Sequence, residues 1–234
     1  MHRLKEKWAL VTGASRGVGR QIAMGLASEG ANLVLHGRTA AAAQKTADTL
    51  ADAGVKIRVV AAELSKPEAV ERLADEALAV AGRIDILYNN AAIMTPETAP
   101  FGATSDDYRK IFEVNTIAVI RLCNRIIPGM IERGWGRVVN VTSGIKDQPN
   151  LLPYAVSKAA VDKYVRDLIP AVQGTGVFVN LLDPGWVRTD LGSDRAPDPV
   201  ESVLPGVLVP ALLDTETQGR FFCAQEYKIF KIKE

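Results

Sequence analysis

Trp8-Ala9-Leu10-Val11-Thr12-Gly13-Ala14-Ser15-Arg16-Gly17-Val18-Gly19 is the stretch on which the fold turns. A short apolar run, as expected of a strand covered on both faces, leads into a glycine-spaced turn. A helical pattern follows, with Val18, Ile22 and Leu26 recurring every four residues and Ala23 and Ala27 beside them. Strand, glycine turn and helix in this order suit a dinucleotide pyrophosphate. The glycines let backbone approach phosphate, and the helix N-terminus presents the positive end of its dipole. The spacing is G-x-x-x-G-x-G rather than G-x-G-x-x-G. On this reading Gly13, Ser15, Arg16, Gly17, Val18 and Gly19 cradle the cofactor.

Outward from that turn, apolar runs alternate with helical periodicity. Strands are predicted at 8–11, 32–36, 57–62, 84–88, 137–141, 177–182 and 220–223, nearly all apolar throughout. Helical patterns surround Val70, Leu73, Ala77 and Leu78, then extend over 106–127 and 153–172, where Pro170 should kink or end the helix. The alternation predicts βαβ crossovers: one doubly wound, Rossmann-type α/β domain over residues 1–234, a parallel seven-stranded sheet with helices on both faces. Residues 192–210 carry prolines at 197, 199, 205 and 210. They read as an irregular, mobile connection interrupted by a short helix near 200–204, and 190–210 is the expected substrate-loop region.

Composition narrows the partners. Of 234 residues 47% are apolar, enough for a sizeable core, and 28 Lys and Arg nearly balance 27 Asp and Glu. No net field draws the chain to nucleic acid or a membrane, which leaves a small-molecule partner. Cys123 and Cys223 have neither metal-ligand spacing nor a disulfide framework and read as small apolar residues, so no metal is expected. The charged start at 1–7 precedes an apolar run too short for a signal or a span, and a reducing cytoplasm is expected.

The second strand should carry the residue that distinguishes NAD from NADP. An acid there binds the ribose 2′-hydroxyl and repels a 2′-phosphate. This chain has His36-Gly37-Arg38-Thr39 instead: no acid, a glycine giving room, and a guanidinium. With Arg16 approaching from the turn, two arginines can flank the 2′-phosphate, so the expected cofactor is NADP(H). Farther on, Tyr154 and Lys158 stand four residues apart at the start of a helix and share one face. An ammonium beside a phenol favours the phenolate and makes the tyrosine a workable proton carrier.

These motifs come with Asn89-Asn90-Ala91-Ala92 after the fourth strand, Asn115 in the long helix, Ser143 after the fifth strand and Asp183-Pro184-Gly185 after the sixth. In this order the chain resembles the short-chain dehydrogenase/reductase family over essentially its whole length. The resemblance implies that Tyr154 is the general acid in carbonyl reduction. It also implies that Lys158 lowers the phenol's pKa and binds the nicotinamide ribose, that Ser143 holds the substrate oxygen, and that Asn115 supports the lysine through a water. Glu63 and Leu64 would meet the adenine, Asn90, Ala91 and Ala92 would line the adenosine side, and Pro184, Gly185, Val187 and Thr189 would pack on the nicotinamide and its carboxamide. The sequence departs from the family where Glu63 replaces the usual Asp and Ala92 the usual Gly. Ser143 and Tyr154 are only eleven positions apart, an interval shorter than is usual, which puts the geometry of Ser143 in question.

The segment at 184–192 and Gly219-Arg220-Phe221-Phe222 are similar to carbonyl-reductase-like members. Met94, Ile145, Leu151, Leu152 and Trp186 are the candidate substrate contacts, and their apolar character suggests an aldehyde, ketone or alcohol with a hydrophobic body. Other readings are a 3-oxoacyl reductase of fatty-acid synthesis and a non-catalytic NADP(H)-binding sensor or scaffold. The long helices at 106–127 and 154–172 can pair between copies, so a homodimer or homotetramer is expected.

Overall fold

The computed structural model describes residues 2–99, 101–214 and 216–228. Strands β1 (Trp8–Val11), β2 (Asn32–Gly37), β3 (Ile57–Ala61), β4 (Ile86–Asn89), β5 (Gly136–Val141), β6 (Val177–Asp183) and β7 (Phe221–Cys223) form one sheet in the order β3-β2-β1-β4-β5-β6-β7. Every pairing is parallel. The chain winds out to β3, then returns to lay β4 against β1, so a crevice opens beyond the carboxyl ends of these two strands.

The predicted strands are all present, with boundaries moved by one or two residues. The largest shift is at β4, which begins at Ile86 rather than Ile84. Just before it, the Asp85 carboxylate accepts a hydrogen bond from the Trp8 amide at 2.9 Å, so a side chain takes a place in the ladder.

Helices α1 (Gly17–Ser28), α2 (Ala40–Thr49), α3 (Pro67–Ala81), α4 (Ser105–Phe112), α5 (Ala118–Glu132), α6 (Leu152–Val172) and α7 (Val209–Leu212) accompany the sheet. Side chains alternate between the two faces: Ala9, Val11, Leu33 and Leu35 pack with Ile22 and Leu26 of α1, whereas Leu10 and Val34 pack with α3, α5 and α6. Two cores, one on each face, hold the layers together. Pro170 lies inside the last turn of α6, which ends two residues later at Val172.

Two expectations need correcting. The helix expected over 106–127 is not uniform: a π-helical turn, Glu113–Ile117, separates α4 from α5, with the Ala118 amide bonded to the Glu113 carbonyl. The whole run Ser105–Glu132 is long and apolar enough to cross a membrane, yet more than half of its most apolar window is buried in the fold. Its half-buried Arg121 and exposed Arg125 pair with Glu71 and Asp75 of α3 at 2.5 and 2.7 Å. It packs as a core helix. The other correction concerns 192–210, read as a mobile loop with one short helix. A 3₁₀ turn at Val200–Val203 lies where that helix was expected, but a second 3₁₀ turn, Gly206–Leu208, and α7 follow. Val203, Val207, Leu208 and Val209 are buried, and the buried Tyr88 hydroxyl donates to the Val207 carbonyl at 2.7 Å. Residues 192–199 are irregular and mostly exposed, as expected, with Pro197 and Pro199 on the surface; Pro205 and Pro210 instead punctuate short turns of the buried stretch that follows.

Candidate active site

Beyond the carboxyl end of β1 the glycine turn is held tightly. Gly13 and Gly17 have φ of +64° and +57°, conformations that side chains rarely adopt. A Cβ on Gly19 would lie 2.2 Å from the Gly13 carbonyl oxygen. Arg16, the cap of α1, makes no side-chain capping bond, so the first turn of that helix keeps its anion-binding character. The cradle fits a pyrophosphate.

Side chains outside the motif brace this turn. The Asn90 amide nitrogen donates to the Thr12 carbonyl at 2.8 Å and the Gly13 carbonyl at 3.3 Å. Thr12 Oγ1 accepts from the amides of Asn90 and Ala91, both at 3.0 Å. His36 is buried, and its Nδ1 accepts from the Gly13 amide at 3.2 Å while Nε2 lies 3.1 Å from the Ala62 carbonyl. Because the first contact requires an acceptor, Nε2 carries the proton and donates to Ala62. Burial lowers the pKa of His36, so the ring is neutral and joins β1, β2 and β3. Thr12 and His36 went unrecognised in the sequence because their roles depend on contacts across strands.

Around the expected adenosine site, Arg38 and Thr39 are exposed at the end of β2. Thr39 Oγ1 accepts from the Ala42 amide and caps α2. A Cβ on Gly37 would stand 3.2 Å from Ala43 Cβ, so the smallness of this residue serves the packing of α2. Glu63 accepts from the Ser65 amide at 3.3 Å, and Leu64 is buried in the core. Arg16, expected beside Arg38, forms an ion pair with Asp190 at 2.6 Å, both side chains well exposed. Ala91 and Ala92 are half-buried after β4.

The other rim holds the candidate chemistry. Tyr154 and Lys158 project from one face of α6, both buried, with the ammonium 5.7 Å from the phenol ring centre. Lys158 Nζ donates to the Val141 carbonyl at 2.7 Å. Burial pulls its pKa down to about 8, partly offset by the Asp162 carboxylate. Burial pushes Tyr154 up to about 12; hydrogen bonding by Ser143 acts in the opposite direction and the Asp183 charge adds to the rise. In the protein alone, then, desolvation of the phenol outweighs the expected lowering by the lysine. Despite the short interval, Ser143 lies close enough to Tyr154 to act on its pKa. The 3₁₀ turn Pro149–Leu151 leads directly into α6.

Asn115 sits in the π-helical turn and is fully buried. Its Oδ1 accepts from the Ile93 amide and its Nδ2 donates to the Ile93 carbonyl, both at 2.9 Å, and Nδ2 also meets Ser157 Oγ at 3.1 Å. The side chain thus ties the segment after β4 to α6. Gly185 has φ of +81°, Val187 is buried, Pro184 is half-buried, and Thr189 lies beside Gly17, its Cγ2 3.3 Å from where a Cβ would stand. Val18 packs partly buried against the core on the β1 side, and Ser15 passes its carbonyl to Arg20 at 2.8 Å. Of the substrate candidates, Met94, Ile145, Leu151 and Leu152 are half-buried, and Trp186 is exposed with its indole N–H bonded to the Gly192 carbonyl at 2.6 Å.

This geometry has relatives. The short chain dehydrogenase family profile matches residues 7–199. The chain belongs to the short-chain dehydrogenase family. It is 31% identical over 218 residues to an uncharacterized oxidoreductase, YvrD, of Bacillus subtilis, covering 92% of this chain and 78% of that protein. It is 34% identical over 190 residues to the 3-oxoacyl-[acyl-carrier-protein] reductase FabG of Vibrio cholerae, covering 80% and 76%. A crystal structure of a putative NAD(P)-dependent gluconate 5-dehydrogenase from Beutenbergia cavernae, with NADP bound at low occupancy, superposes with a TM-score of 0.86 at 30% identity, covering 97% and 98% of the two chains. As a short-chain dehydrogenase the protein is an oxidoreductase, and its parallel seven-stranded sheet is the Rossmann-type fold of that family.

Proposed function

We propose that this short-chain dehydrogenase reduces small apolar aldehydes and ketones with NADPH, and oxidises the matching alcohols in reverse, through Tyr154, Lys158, Ser143 and Asn115. The observation that carries the reading is the buried phenol and ammonium on one face of α6, next to Ser143. When bound, the nicotinamide supplies or accepts the hydride. The residues do the rest. A phenol whose pKa stands at about 12 keeps its proton at neutral pH and can donate it to a nascent alkoxide. Ser143 Oγ holds the carbonyl oxygen at that phenol, and Lys158, held at the Val141 carbonyl, binds ribose hydroxyls and orients the sugar. Asn115 keeps the segment after β4 at its distance from α6. On the adenosine side Gly13, Ser15, Arg16, Gly17, Val18, Gly19, Arg38, Thr39, Glu63, Leu64, Asn90, Ala91 and Ala92 form the cofactor wall, with Pro184, Gly185, Val187 and Thr189 opposite.

The absence of an acid after β2 and the exposed Arg38 support NADP(H); Arg16 joins it once the 2′-phosphate displaces Asp190. Met94, Ile145, Leu151, Leu152 and Trp186 give the substrate side its apolar character, with 190–210 bordering it. We place the enzyme in the cytoplasm as a homodimer or homotetramer; a single species of 25.2 kDa by light scattering at micromolar concentration would remove the oligomer. The central test is an NADPH-oxidation screen over aldehydes, ketones and acyl thioesters, with NADH in parallel and Tyr154→Phe as control. The variant is expected to bind NADPH normally and lose turnover by ~10³-fold. Unchanged turnover would refute the assignment of the acid, and equal rates with NADH would refute the role of Arg38.

A further inference from the structure

One carboxylate at this site belongs to no cofactor or proton-carrying role. Asp183 ends β6 and sends its two oxygens in different directions. Oδ1 accepts from the Gly185 amide at 2.9 Å, closing the turn through Pro184. Oδ2 crosses to the neighbouring strand's loop and accepts from the Gly144 amide at 3.0 Å. Gly144 follows Ser143 directly, and the next amide, Ile145, donates to Ser143 Oγ at 3.2 Å. Glycine at 144 is part of the arrangement: a Cβ there would stand 2.7 Å from Asp183 Oδ2. Ser143 is therefore held from two sides, by its own loop through Ile145 and by β6 through Gly144.

We propose that Asp183 is a positioning residue that clamps the serine loop to the Pro184-Gly185 turn and so sets where Ser143 presents its hydroxyl to Tyr154. The inference rests on the reading of Ser143 as the group that holds the substrate oxygen. It also accounts for how the shortened connection to α6 works. With Ser143 and Tyr154 only eleven positions apart, the loop has little chain of its own to brace the serine beyond the Ile145 amide, and the further brace comes from the next strand. Neutral side chains cannot replace it fully. An asparagine can still accept from Gly185 with its carbonyl oxygen, as in an ordinary Asx turn, but it turns an N–H towards the Gly144 N–H, where no hydrogen bond forms.

That asymmetry supplies the test. In Asp183→Asn, amide hydrogen exchange at Gly144 and Ile145 should quicken ~10-fold while Gly185 stays within about twofold of the native rate. This readout needs no substrate. With 4-nitrobenzaldehyde as the carbonyl probe, Asp183→Asn should lower kcat ~10-fold, leave the Kd for NADPH within about twofold, and have no additional effect in a Ser143→Ala background. Unchanged exchange at Gly144 and Ile145 overturns the clamp, as do losses that simply add to those of Ser143→Ala. A variant that exchanges faster at all three amides and loses NADPH binding also overturns it, because that is general loosening of the rim. Should the probe not turn over, the exchange pattern alone decides. The underlying reading fails separately, through Tyr154→Phe retaining turnover; a dead Tyr154→Phe with additive Asp183→Asn and Ser143→Ala removes the clamp alone.

Discussion

The two rims of the cleft are built on opposite principles. On the β1 side, the turn is fixed by backbone: glycines at positive φ, a carbonyl 2.2 Å from where a Cβ would stand, and neutral side chains bonding main-chain atoms. On the β5–α6 side, the site is made of ionisable side chains kept out of water, with Lys158 pulled down to about 8 and Tyr154 pushed up to about 12. The first rim carries geometry that stabilises the fold as it binds. The second carries groups that fold at a cost and are useful for chemistry. Mutations should therefore behave differently on the two sides.

The sharpest way to break the contrast is Lys158→Met. Turnover should fall by ~10²–10⁴-fold while the melting temperature rises by ~2–4 °C, since a penalised charge gives way to an apolar chain of similar length. The pH dependence has a definite sign. The folded-state pKa lies below the unfolded value of 10.5, so the unfolded chain binds the extra proton between about 8 and 10.5 and native stability from this group rises with pH across that window. Below about 8 the penalty is fully present. Thermal melts of the two proteins at pH 7 and 10 check this: the gap between them should narrow at the higher pH.

Gly19→Ala is the counterpart on the other rim. Its new methyl group meets the Gly13 carbonyl and the Asn90 amide, so the turn must open; NADPH affinity measured by fluorescence should drop ~100-fold with stability lowered as well. Asn115→Ala tests the link between the rims. It leaves the Ile93 amide and carbonyl without their partners and should cost ~2–3 kcal/mol in denaturant unfolding, with a loss in kcat of ~10-fold. Smallest is the effect of acid on His36. Its pKa lies below the free value of 6.5, so protonation is resisted in the native state, and stability should decline as pH falls beneath 6.5. His36→Gln should flatten that slope, and an unaltered slope would show that the ring does not hold the turn.

Much of this was legible in the amino-acid order, and the omissions have physical causes. Apolar runs of strand length between helical patterns located all seven strands: the central ones are buried on both faces, and the partly exposed edge strands β3 and β7 still carry apolar runs. The glycines and the Tyr154–Lys158 spacing stood out because each reflects contacts within a few residues. His36, Thr12 and Asp183 did not, since their partners lie on neighbouring strands: His36 reaches Gly13 and Ala62, and Asp183 reaches Gly144. Residues 192–210 read as a loop with one short helix near 200–204 because prolines interrupt any period, although Val203, Val207 and Leu208 are apolar enough to join the core. The π-helical turn was invisible for a similar reason. Ile117, Ala118, Val119 and Ile120 are apolar in succession, so a change of phase there leaves no gap in the pattern.

That single extra residue has a consequence for the whole helix. A residue inserted into an α-helix rotates everything beyond it by about 100° relative to what comes before. Residues 105–112 and 118–132 are therefore indexed separately: Asn115 can aim at the cleft while Leu122 and Ile126 keep their seats against the sheet and Arg121 and Arg125 still meet α3. Deleting one residue from the turn would return the run to a single α-helical phase and force a choice between the two alignments. The chain would lose either the bonds to Ile93 or the seating of α5, and the bulge is what lets one continuous helix keep both.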